Sequence, residues 1–199
     1  MNHFISEFET AFALLQKNIS LILILIASLY VIHFINWILG HRLNMLGIYP
    51  RKAWGLFGIV FSPFIHGHFN HLFFNSIPLF VLASFVLLNG LPTFYFVSVT
   101  IILLSGIATW AFGRRGFHIG ASGVIMGYWG YLLINAYHQE TALSIALAGV
   151  CIYYFGGLLF HLFPTEVKSS WEGHVFGFLA GVAAAYLCPV FIPAMNQLN

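Results

Sequence analysis

Apolar residues fall along this chain in six blocks, each near the roughly 20 residues that cross a bilayer. The few polar residues inside the blocks gather at the starts of alternate ones. Before the blocks comes a segment of another kind, residues 1–18. Phe4, Phe8, Phe12 and Leu15 recur at helical spacing while Glu7, Glu9 and Lys17 lie elsewhere, which predicts an amphipathic helix at the membrane interface. Ile19–Leu39 is the first block, too long for a signal-peptide core and followed by no small-residue cleavage site, so it reads as a retained span. Residues 40–65 carry Arg42, Arg51 and Lys52, but also Trp54, Leu56, Phe57, Ile59, Val60, Phe61 and Phe64. That content predicts a connection partly sunk in the membrane as short helices, broken by Pro50, Pro63 and several glycines.

The second block, His66–Leu88, ends at a turn made by Asn89, Gly90 and Pro92. The third is Thr93–Phe112, the fourth Ser122–Tyr137, the fifth Thr141 to about Phe160, and the sixth His174 to about Val190, closed by Pro189 and Pro193. Pro164–Gly173 is a polar connection and residues 194–199 form a tail. The expected fold is an all-α polytopic membrane protein, with six transmembrane helices in one membrane domain over residues 19–193.

Spans alternate in direction, so the second, fourth and sixth start on one face of the membrane. Their starts hold His71 and Asn75, Ser122, and His174. Polar groups inside a bilayer are costly and tend to mark function. The fourth span is also short: at about 1.5 Å per residue it covers roughly 24 Å against about 30 Å of hydrocarbon. A helix that short leaves Ser122 below the membrane surface, on the floor of a cavity. His174, Gly177 and Gly181 share one helix face, and so do Gly123 and Gly127. Small faces let membrane helices approach closely, which would bring His174 against Ser122.

Composition narrows the class. The chain is 60% hydrophobic and 6% charged, far from a soluble domain. A net charge of +2 is too small to suggest nucleic acid. Cys151 and Cys188 both sit in apolar blocks and read as membrane-buried thiols.

These residue types point to acyl transfer. A serine becomes a nucleophile when a base takes its proton, and His174 is the candidate base for Ser122. The chain has no Asp, and Glu172 falls on another side of a helix from His174. Glu172 therefore reads as an interfacial charge, and the catalytic pair as a dyad. His71 and Asn75, four residues apart on one face, can donate to an oxyanion together with the Ser122 backbone N–H. Gly120 precedes the serine in Gly120-Ala121-Ser122-Gly123.

With these residues in place the chain resembles the rhomboid intramembrane serine proteases. H-x-x-x-N is His71 to Asn75, G-x-S-G is Gly120 to Gly123, and H-x-x-G-x-x-x-G is His174, Gly177 and Gly181. The three motifs stand in order on the second, fourth and sixth spans, and the resemblance covers all six spans. It implies a rhomboid-like bundle, a nucleophile at Ser122, a base at His174 and oxyanion donors at His71 and Asn75. His66 matches a further family histidine, for which a structural hydrogen bond is expected. The chain departs from the family where Phe57 and Gly58 stand in place of a Trp-Arg pair. Met126 stands where many members have a tyrosine under the histidine ring, and its sulfur would pack there instead.

The resemblance implies transmembrane protein substrates, a bacterial inner membrane and a site opening to the non-cytoplasmic side. It implies no cofactor. Charge argues the other way on orientation: six Lys and Arg (Arg42, Arg51, Lys52, Arg114, Arg115, Lys168) lie on the site's side against Lys17 on the other. We follow the family, with Arg51, Lys52, Arg114 and Arg115 at lipid headgroups. The lipid bilayer is a partner by composition, and the sequence does not set an oligomeric state. Three other readings stand beside the protease. One is a catalytically weak relative that binds transmembrane clients. Another is a metal site at His66, His68 and His71, disfavoured because His66 and His68 point to different helix faces. The last is a transporter, disfavoured by the lack of paired repeats.

Overall fold

The computed structural model describes residues 2–157 and 171–196, and within them the regular elements are helical. Seven α-helices are described: α1 (Asn2–Ile38), α2 (Gly58–Phe61), α3 (Phe69–Leu87), α4 (Leu91–Phe112), α5 (Ser122–Gln139), α6 (Ala142–Phe155) and α7 (Trp171–Asn196). Four of them contain stretches long and apolar enough to cross a membrane: Ile5–Ile38, Phe69–Leu87, Leu91–Phe112 and Trp171–Ile192. The expected six spans are thus met in part. The α5 helix has 18 residues but carries polar groups that it satisfies inside the fold. Tyr131 donates to Asn135 at 3.3 Å, and Asn135 donates to Asn89 at 3.1 Å. The α6 helix has 14 described residues, and the end expected at Phe160 lies outside the described residues.

Two boundaries differ from expectation. The amphipathic lead and the first span are one continuous helix of 37 residues, with no break at Asn18. The last helix runs on through Pro189 and Pro193 to Asn196 instead of stopping at them. Membrane helices tolerate proline because neighbouring groups re-satisfy the freed carbonyls. Of the expected tail, residues 194–196 continue the helix and residues 197–199 lie outside the described residues.

The connection before α3 folds into short helical turns, Arg42–Leu46, Ala53–Leu56, α2 and Ser62–Phe64. It is pinned to the end of α4 and to the connection that follows it. Ile48 and His118 exchange backbone hydrogen bonds at 3.0 and 2.9 Å. Arg51 donates to the carbonyls of Ala111 at 3.1 Å and Gly113 at 2.9 Å. Those carbonyls end α4, where a helix leaves acceptors unpaired. Arg51 therefore caps a helix and is not simply a headgroup charge.

Helix α5 is the core of the bundle. Ile125, Met126, Tyr128, Trp129 and Tyr131 are all at most 2% exposed. Against it lies α7, and glycines set the distance between them. A Cβ added at Gly177 would overlap the backbone of Gly123, and one at Gly181 the backbone of Gly127. Loss of these side chains lets two backbones touch, the packing that apolar lipid surroundings favour.

Candidate active site

Ser122 is the first residue of α5, and Ala121 at the cap makes no side-chain capping bond. The serine hydroxyl has a partner on another helix. That partner is His174 on α7: its Nε2 lies 3.0 Å from the Ser122 Oγ. The two residues are 52 apart in sequence, and the glycine contact between α5 and α7 brings them together. The pair is half-buried, and for Ser122 to donate, Nε2 must be the unprotonated nitrogen.

His71 and Asn75 reach the same place from α3. Gly120 adopts a φ of +113°, in the region open to glycine. A Cβ there would lie 2.7 Å from His71 Cε1 and 3.5 Å from Asn75 Nδ2. Both side chains therefore lie over the backbone two residues before the serine. The turn at Gly120 is itself held by its N–H, which donates to the Ser62 carbonyl at 2.9 Å.

His66 ties these parts together. The Ala121 backbone N–H donates to His66 Nε2 at 3.3 Å, and a main-chain N–H can only donate. His66 Nε2 is then an acceptor and the proton sits on Nδ1. Asn75 Nδ2 lies 3.2 Å from the same nitrogen, so the amide must present its NH2 group there. One N–H of Asn75 is used on His66 and the other remains for the cavity. His66 is fully buried, and burial, with the His71 and His33 rings beside it, pushes its pKa down to about 3. It is neutral wherever the protein works near neutral pH. In turn His33 on α1 approaches the His66 carbonyl at 3.1 Å.

A cavity of about 240 Å³ opens on the pair. His71, Phe74, Asn75, Ser122, Met126 and His174 line it. Met126 is 1% exposed and shares this wall with His174. On the other side of Ser122 is a second, smaller cavity of about 50 Å³, with Ser62, Ser105, Thr109 and His118 in its wall. Among the described residues no group of three or more His, Cys, Asp or Glu side chains is placed to hold a metal ion.

Glu172 has a partner that the sequence did not show. It is 5% exposed, in the first turn of α7, and its carboxylate meets the guanidinium of Arg114. Arg114 Nε contacts Oε1, and Nη2 donates to Oε2 at 3.3 Å. The carboxylate expected as an interfacial charge has a cation from the α4–α5 connection beside it. Arg114, expected at lipid headgroups, is half-exposed and makes this pair. Sequence reading missed the pairing; its one signal was a Glu two residues before His174 in a chain with five acidic residues.

A family model described as Rhomboid domain matches residues 51–190. Uncharacterized proteins of Mycobacterium bovis and Mycobacterium tuberculosis are each 38% identical to this chain over 175 residues, covering 83% of it and 73% of the relative. An uncharacterized protein of Mycobacterium leprae is 35% identical over 175 residues, covering 83% of this chain and 69% of its own.

Proposed function

This chain belongs to the rhomboid family, and from that membership we propose that it is an intramembrane serine endopeptidase that cuts transmembrane segments of other proteins. The observation that carries the reading is the 3.0 Å approach of His174 Nε2 to Ser122 Oγ beside a cavity.

In this reading Ser122 attacks the scissile carbonyl and His174 takes its proton. The oxyanion that forms meets the free N–H of Asn75, the His71 ring and the backbone N–H of Ser122. One such donor is worth about 2.7–4 kcal/mol in the transition state. His174 then returns the proton to the leaving amine. Water next hydrolyses the acyl-enzyme, with His174 again as base. The 50 Å³ cavity behind Ser122 has hydroxyls in its wall and room for about one or two waters. No third member of a triad is invoked, because Glu172 faces Arg114.

The substrate helix must unwind locally, since an intact helix hides its carbonyls in its own hydrogen bonds. The bundle spans the membrane six times in this reading, with α5 and α6 as the two spans beyond the four apolar ones. The site opens to the non-cytoplasmic side of a bacterial inner membrane.

The test is cleavage of a single-span reporter by the purified protein in liposomes. Wild-type protein should cut within the span, and Ser122→Ala should not cut while keeping its unfolding midpoint. Cleavage by Ser122→Ala would overturn the assignment. Binding of reporters without any cleavage by the wild type would favour a client-binding relative.

A further inference from the structure

The two residues of the dyad arrive on different pieces of chain. Ser122 comes at the end of the α4–α5 connection, and His174 comes in the first turns of α7. The glycine contacts hold the bodies of α5 and α7 together below the site. At Gly173, the residue before His174, the contact is looser. A Cβ at Gly123 would sit 3.3 Å from the Gly173 carbonyl oxygen, and one at Gly173 would meet nothing closer than 4.0 Å. The glycine contacts thus grip α7 most closely at Gly177 and Gly181, and less closely at Gly173, the residue before His174.

The Arg114–Glu172 pair crosses that gap. Arg114 lies eight residues before Ser122 and Glu172 two before His174. Both guanidinium contacts engage the one carboxylate, a planar fork-to-fork geometry that fixes direction as well as distance. The carboxylate side chain is 6% exposed. The guanidinium side chain is 49% exposed, so the pair lies at the edge of the fold, and separating it would leave the buried carboxylate without its cation. Arg114 is also anchored on its own side: its carbonyl lies 2.9 Å from His118 Nε2, and the His118 backbone is bridged to Ile48.

We propose that Arg114 and Glu172 are positioning residues whose pairing sets the spacing of Ser122 and His174. The inference rests on the reading of those two as a catalytic dyad. Neither Arg114 nor Glu172 touches the reacting atoms. A misplacement of about 1 Å at a reacting pair lowers rate by roughly 100-fold, and a loosened α7 start would act in that way.

The experiment uses the full chain in liposomes, as wild type, Glu172→Gln, Glu172→Ala, Arg114→Glu and the exchanged pair Arg114→Glu with Glu172→Arg. Three quantities are read: kcat and KM on a transmembrane reporter, the unfolding midpoint, and the rate of oxidative cross-linking between Gly123→Cys and Gly173→Cys introduced in each background. The cross-link reports the separation of the two backbones without any catalysis. Glu172→Ala and Arg114→Glu should lower kcat about 10- to 100-fold, leave KM within about twofold, and change the cross-linking rate severalfold. Glu172→Gln should fall between these and wild type, and the exchanged pair should recover much of the loss. Cross-linking unchanged in Glu172→Ala would overturn the proposal, as would a loss of kcat that merely follows the unfolding midpoint. If wild-type protein cleaves nothing, the dyad reading fails, and the cross-linking rate alone still decides whether the pair sets the spacing.

Discussion

Gly177 lies so close to Gly123 that a methyl group on the former would overlap the carbonyl of the latter. Gly181 stands in the same relation to Gly127. These two contacts seat α7 on α5 and so bring an imidazole to a hydroxyl. Gly177→Ala and Gly181→Ala should each push the helices apart and cost about 1–3 kcal/mol of stability, the usual cost of overfilling a packed contact. Activity should fall further than stability does, because His174 moves with α7. Detergent unfolding and reporter cleavage, measured on the same samples, check both parts.

Gly120 offers a sharper case, since it is needed both for its backbone and for its space. Gly120→Ala would force a Cβ into a φ of +113°, costing about 1–3 kcal/mol. It would also press that Cβ against the His71 ring, 2.7 Å from Cε1 in the present arrangement. We expect cleavage to drop by about 100-fold, in line with the loss of an oxyanion donor. A kinetic comparison with His71→Ala checks this, because the double variant should be scarcely worse than either single one.

His66 predicts a dependence on pH. Its pKa is near 3 in the folded chain and 6.5 when exposed, so the unfolded chain binds the proton first as pH falls. The stability that goes with the neutral ring is complete above pH 6.5 and is lost progressively toward pH 3. The loss from this group is on the order of a few kcal/mol at the acid end. Protonation at Nε2 would also evict the Ala121 and Asn75 donors together. Unfolding midpoints at pH 7, 5 and 4 should fall faster in wild type than in His66→Gln, whose side-chain oxygen accepts from the same donors without titrating. Parallel curves would show that the ring is not the titrating group.

The part of the site that could be seen in the sequence is the part governed by helical spacing. His71 and Asn75 share a face because they are four residues apart, and His174, Gly177 and Gly181 share one for the same reason. Given two glycine faces, the meeting of Ser122 with His174 follows from packing. What the sequence did not disclose depends on contacts between distant loops. His66 as a shared acceptor for Ala121 and Asn75, Arg51 as a cap on α4, and Glu172 buried against Arg114 are all pairings across 55 or more residues, the short His66–Asn75 step aside. Periodicity carries no signal for such pairings. Pro189 and Pro193 misled for another reason: a rule drawn from water-exposed helices was applied to a membrane helix, where proline inside a helix is tolerated.

The central claim is that Ser122 is a nucleophile activated by His174. Purified protein in liposomes, treated with a fluorophosphonate probe and mapped by mass spectrometry, tests it most directly. The account predicts one adduct, on Ser122, lost in His174→Ala and unaffected by chelators. An adduct on another residue, or labelling of Ser122 at the wild-type rate in His174→Ala, would contradict it.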